Sequence, residues 1–132
     1  MIEIVFPDDW SERLAWLTAV ATIMVGLLLM VMPRTFGHYL GLAFRPDTNN
    51  GVSEVRGAFA GMWLGLGLAC ILLAQPFTDF ALGLAFLGAV LGRLVSMVAD
   101  RAFNGHCLVA TVIEALGAYF CLKFPLEVFG LV

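Results

Sequence analysis

The chain has 132 residues, 61% of them hydrophobic and 13% charged, with a mean hydropathy of +0.97. A soluble domain carries about 45–50% apolar and about 25% charged residues, and one this small has too much surface to cover with so few polar groups. A net charge of −3 without any basic run excludes a nucleic-acid binder, and three cysteines exclude a disulfide scaffold. The partner these numbers imply is the lipid bilayer.

In chain order, Met1 to Glu12 carries Glu3, Asp8, Asp9 and Glu12 and no basic residue, which does not read as a signal peptide. Ile4, Val5, Phe6 and Trp10 among those acids suggest a short segment lying at the membrane interface. A spanning helix needs about 20 mainly apolar residues to cross roughly 30 Å of hydrocarbon. Leu14 to Met32 meets that without a charge, and Pro33 stops it. The connection from Pro33 to Ser53 opens on Phe36, Tyr39, Leu40, Leu42 and Phe44, apolar enough for the membrane surface. It closes on the polar turn Arg45 to Gly51.

A second span covers 56–74 and ends at Gln75-Pro76. A third covers 80–100 with Arg93 inside it, and a fourth covers 107–123 around Glu114. Gln75 to Asp79 and Arg101 to His106 read as tight helical hairpins. The fold class is therefore all-α: an integral membrane four-helix bundle of antiparallel up-and-down spans. A short interfacial segment lies between helices 1 and 2, and 1–132 forms one domain with no room for a soluble one. Four spans put both termini on one side, with Arg13 and Lys123. Arg34, Arg45, Arg56 and Arg101 lie on the other, so the positive-inside rule places the long loop in the cytoplasm and the termini in the periplasm.

Charges within a membrane are costly and turn towards the bundle interior or a watery cavity. Arg93 and Glu114 each lie about ten residues from the centre of the last hairpin, so an antiparallel pair sets them at one depth, where they can bond. Asp100 is two turns beyond Arg93 on the same face, with Ser96 near that stripe. Glu114 shares its side of the helix with Cys107, Ala110, Gly117, Ala118 and Cys121, small residues that let helices approach. Glu54 shares a face with Ala58, Gly61 and Gly65.

The expectation is a buried polar network of Glu54, Arg56, Arg93, Asp100 and Glu114 in the half nearest the long loop. It serves either as a structural pin or as a site for a ligand, a proton or a lipid headgroup. Arg56 and Arg101 are also placed to snorkel to lipid phosphates. Gly57, Gly61 and Gly65, Gly88 and Gly92, and Gly117 read as helix-packing positions, between helices of one chain or, in the minority reading, of two copies. The cysteines read as small packing residues, His38 and His106 as loop residues, and Trp10, Trp16 and Trp63 as belt residues. No spacing suggests a metal site or a cofactor.

Glu54-Val55-Arg56-Gly57 followed by Gly61, then Gly92-Arg93-Leu94-Val95-Ser96 with Asp100, then Glu114, make a pattern that resembles a bacterial family of small four-helix membrane proteins. That family is catalogued as a domain of unknown function. The resemblance covers roughly Leu14 to Phe124 and implies an inner-membrane, four-helix protein without an established activity. More distantly the layout is similar to the DoxX-like membrane proteins. Small multidrug exporters keep their glutamate in the first helix, which is uncharged here. Membrane-bound glutathione-transferase-like enzymes need polar groups that Gly57 to Ala74 does not offer.

No nucleophile–base pair, metal spacing or phosphate loop is present in the sequence. It favours a non-enzymatic accessory, scaffold or lipophile-binding module, with a homo-oligomer, a larger membrane complex or a small lipophilic ligand as partner. A transporter acting as an oligomer is the alternative, and a lipid- or quinone-directed enzyme comes third.

Overall fold

The computed structural model describes residues 6–132; Glu3, Ile4 and Val5 of the expected interfacial segment lie outside them. Helix α1 spans Trp10–Val31. It starts ahead of the uncharged stretch because Asp9 supplies an extended N-cap and Glu12 sits in the first turn, where the helix dipole favours an acid. Pro33 then opens a short helix, α2 (Pro33–Tyr39), using the position at which a missing N–H costs nothing. Helix α3 spans Asn50–Leu73 and contains a π-helical stretch, Val55–Gly61. Helix α4 spans Pro76–Ala99 and α5 spans Gly105–Val128. Four of these five helices are long and apolar enough to cross a membrane, and the described residues contain no strand.

The turns follow from local chemistry. Ala74 takes a left-handed conformation (φ 46°) and Pro76 restarts the chain as α4. Arg101 is also left-handed (φ 53°), and Asn104 Oδ1 accepts the Cys107 N–H at 2.9 Å to cap α5. Helix α5 continues past Lys123 and through Pro125. A proline there removes one backbone bond, a loss that membrane helices tolerate when neighbours compensate.

Helix α1 is central. Its inner face, Ser11, Ala15, Ala19, Thr22, Gly26 and Leu29, is small and repeats every three or four residues, so α3 and α5 can both approach it closely. The most extensive packing joins α4 to α5 and α1 to α3; α3 and α4 touch far less. Close approach is set by single glycines on facing helices. A Cβ at Gly26 would lie 2.8 Å from Leu64 Cγ, and one at Gly67 2.9 Å from the Ala19 carbonyl oxygen. One at Gly83 would lie 2.7 Å from Leu122 Cγ, and one at Gly117 3.1 Å from the Phe86 ring.

The expected glycine runs are a correction. A Cβ at Gly57, Gly65, Gly88 or Gly92 would meet nothing within 4 Å, and one at Gly61 would meet a carbonyl of its own helix. The wider π turn alters the angle between successive residues, so spacing by four no longer marks one inward stripe. Gly88 and Gly92 lie across α4 from its buried face of Asp79, Leu82, Gly83 and Phe86. These glycines do not pack between helices of this chain. Trp63 is a second correction: it packs at a tilt against Phe86, ring centroids 5.2 Å apart, against the core of the bundle and is not a belt residue.

The core has two parts. Near the termini, Ala19, Cys70, Leu82, Phe86, Ala118 and Cys121 draw together all four long helices. Near the long loop, Leu29, Val55 and Ala60 join α1 to α3 alone, with Phe36, Leu42 and Phe44 folded against them. Outward faces are apolar throughout, as Leu84, Leu91, Leu94 and Val98 of α4 illustrate, which is what lipid-facing helices require.

Candidate functional site

In the loop half α4 and α5 are joined by charge. Arg93 Nε donates to Glu114 Oε2 at 2.6 Å and Nη2 donates to Oε1 at 2.9 Å, a bidentate fork across the two helices. The side chains are 33% and 14% exposed, so the pair is half-sheltered. Both charges are neutralised in one planar contact, the geometry for which a guanidinium is suited.

The other three members of the expected network are elsewhere, which corrects that reading. Asp100 is exposed and accepts the Ser96 hydroxyl at 2.5 Å; two turns of helix, roughly 10 Å, separate it from Arg93. Arg56 Nε donates to the Met30 carbonyl at 3.0 Å, so it caps the last turn of α1. Glu54 is exposed and makes no ion pair among the described residues.

Arg56 brings a second place into view. A cleft of about 680 Å³ lies where α1 ends and α3 begins, lined by Val31, Met32 and Val52 on its apolar side and by Arg34, Asn49, Ser53 and Arg56 on its polar side. Arg34 Nη2 donates to Asn49 Oδ1 at 2.8 Å. The ion pairs among the described residues are Arg45–Asp47, Arg93–Glu114 and Lys123–Glu127, so neither cleft arginine has a carboxylate partner there. Sequence reasoning counted Arg34 for sidedness and missed it as a site residue. The signal available was its position one residue past the proline that ends the first span.

At the opposite end the sequence reading also missed Asp79, which is 7% exposed. It belongs to the same inward face as Leu82, Gly83 and Phe86, a spacing of three, four and seven that marks one side of a helix. Together with Glu12, Trp16, Cys70, Ile71 and Ala74 it lines a narrow recess of about 20 Å³, room for one water. Trp16 Nε1 is buried without a hydrogen-bond partner among the described residues. Between this recess and the Arg93–Glu114 pair, Leu82 and Phe86 fill the interior. Among the described residues no three His, Cys, Asp or Glu side chains come together as metal ligands.

The fold and these placements define a small, multi-pass, four-helix membrane protein whose polar groups are few and local. The chain belongs to the family described as a domain of unknown function, DUF4345, whose model matches residues 12–124. That stretch contains the Arg93–Glu114 pair, the cleft and Asp79. No curated protein and no solved structure matches the chain.

Proposed function

We propose that this protein is a non-enzymatic membrane module that holds a lipophile at the long-loop end. The observation that carries this reading is the cleft of about 680 Å³ at the junction of α1, α2 and α3. It is a groove open to one side, with Arg34, Ser53 and Arg56 of its wall exposed, so it would hold a molecule partly against the protein and partly against lipid. Apolar helix ends meet polar side chains along its wall, the arrangement an amphiphile needs. Two further facts favour binding over transport. Arg93 and Glu114 are engaged with each other, and Leu82 and Phe86 separate them from Asp79, so the polar groups are not strung into a route.

The resemblance and the positive-inside count support a bacterial inner membrane, with this cleft facing the cytoplasm and the termini in the periplasm. Native mass spectrometry of the protein released from mild detergent is the test. Wild type is expected to retain an amphiphile, and Ser53→Trp, which fills the cleft, to lose it. An empty wild type, or equal retention by the variant, refutes the reading.

A further inference from the structure

We infer that the head of the bound molecule is the phosphate of an anionic phospholipid, gripped by Arg34 and Arg56 at the first turn of α3. This rests on the reading of the cleft as a lipophile site and adds the chemistry of its polar end.

Each guanidinium has five N–H donors in a rigid fork. Arg34 spends one on Asn49 and Arg56 spends one on the Met30 carbonyl, contacts that anchor each fork while leaving its other edge free. Two anchored cations without a carboxylate partner among the described residues, both lining one cleft, make its polar side positive. A carboxylate within reach would have cancelled it, as Asp47 cancels Arg45 nearby with a bidentate contact at 3.1 and 2.8 Å.

The backbone adds to the same field. Asn49, whose side chain accepts from Arg34, occupies the N-cap position of a 24-residue helix, and Val52 and Ser53, from its first turn, line the cleft. The Asn50 N–H donates to Thr48 Oγ1 and the Ser53 N–H to the Asn49 carbonyl, so the turn contributes mainly the positive end of the helix dipole. Ser53 and Thr35 bring hydroxyls to the same wall.

Position selects a lipid over a free ion. Arg34 follows directly on the α1 span and Arg56 lies in the second turn of the α3 span, the level of lipid headgroups. Val31 and Met32, 71% and 48% exposed, continue from the cleft onto the lipid-facing surface of α1, a path for an acyl chain. A phosphate monoanion with tails satisfies both halves of the wall, whereas inorganic phosphate uses one.

The test is thermal stability of the full chain in detergent, titrated with phosphatidylglycerol, phosphatidylcholine or inorganic phosphate. Phosphatidylglycerol is expected to raise the melting temperature and phosphatidylcholine to do so much less. Arg34→Gln is expected to weaken the phosphatidylglycerol effect by roughly tenfold in concentration, since charge-assisted bonds are the strong ones. Arg56→Gln should do the same, and because it also uncaps α1, Arg34→Gln keeps the test decisive if that variant fails to fold. Arg45→Gln, at the same end but outside the cleft and already paired with Asp47, should bind as wild type does. Equal stabilisation by the two lipids, with Ser53→Trp abolishing both, overturns the anionic head and leaves the lipophile site standing. No lipid effect at all removes both readings. Stabilisation by inorganic phosphate as strong as by phosphatidylglycerol, or an equal loss in Arg45→Gln, also overturns the inference.

Discussion

Replacing Arg93 with methionine removes the charge while keeping most of the side chain's volume, and it leaves Glu114 with neither of its two donors, at 2.6 and 2.9 Å. Opposite charges about 4 Å apart attract by about 4 kcal/mol at an effective dielectric near 20. Breaking a buried pair from one side costs about 3–5 kcal/mol. With Arg93 one-third exposed, water and headgroups screen part of that, and about 2–3 kcal/mol is the expected loss. Glu114→Gln should cost a similar amount, because it strands the guanidinium. The double variant strands nothing, so its loss should be about 1 kcal/mol, a coupling of about 3–5 kcal/mol against the two singles. Denaturant titration in one detergent, with all four proteins at equal protein and detergent concentrations, measures the cycle. Losses that add within about 0.5 kcal/mol would mean that the fork between α4 and α5 does not form.

The glycines divide sharply: Gly67→Ala drives a Cβ to 2.9 Å from the Ala19 carbonyl oxygen, backbone that cannot swing aside, and should cost about 1–3 kcal/mol. Gly88→Ala and Gly92→Ala meet open space and should be neutral or stabilising by up to about 1 kcal/mol, as thermal melts will report. Asp79 has Cys70, Glu12 and Trp16 as recess neighbours and makes no ion pair among the described residues, so Asp79→Asn should melt at or above the wild-type temperature. A loss beyond about 2 kcal/mol would reveal a cationic partner. Single cysteines at Gly51 and at Val132 should be labelled from opposite sides of the membrane, against a low background from the buried Cys70, Cys107 and Cys121; labelling from one side would refute four spans.

Hydropathy carried the fold, because crossing hydrocarbon is a condition on composition and length that any reader of Leu14 to Met32 can check. Depth carried the ion pair, since the short link at Arg101 to Asn104 fixes how far along each helix Arg93 and Glu114 must lie. Rotation about the helix axis was harder. The run Gly57, Gly61, Gly65 reads as one stripe at α-helical pitch, and a π stretch from Val55 to Gly61 breaks that assumption without any warning in composition. Asp79 lies inside the Gln75 to Asp79 stretch that reads as a hairpin, whereas α4 already begins at Pro76 and the spacing of Asp79 from Leu82, Gly83 and Phe86 puts it on the inward face. The cleft was out of reach for a different reason. It is made by α1 ending where α3 begins, a tertiary meeting of segments separated by the whole Pro33 to Asn49 connection.

Because α1 packs chiefly on α3, and α4 chiefly on α5, each pair with its own facing glycines, the chain divides into two two-span halves. The link between the halves is the step from Ala74 to Pro76, and they meet where α1 packs on α5 and, less extensively, where α3 packs on α4, around Cys70, Leu82 and Cys121. Each half already satisfies its backbone within its own helices, so each can reside in a bilayer before meeting the other. Residues 1–74 and 75–132, produced as separate chains, should then find one another in the membrane. The arginine cleft would travel wholly with the first fragment and the Arg93–Glu114 fork wholly with the second. Headgroup capture and helix clamping are thus separable properties of two pieces, and the recess around Asp79, shared between Glu12 and Trp16 of one and Asp79 of the other, is the seam at which they would be seen to join.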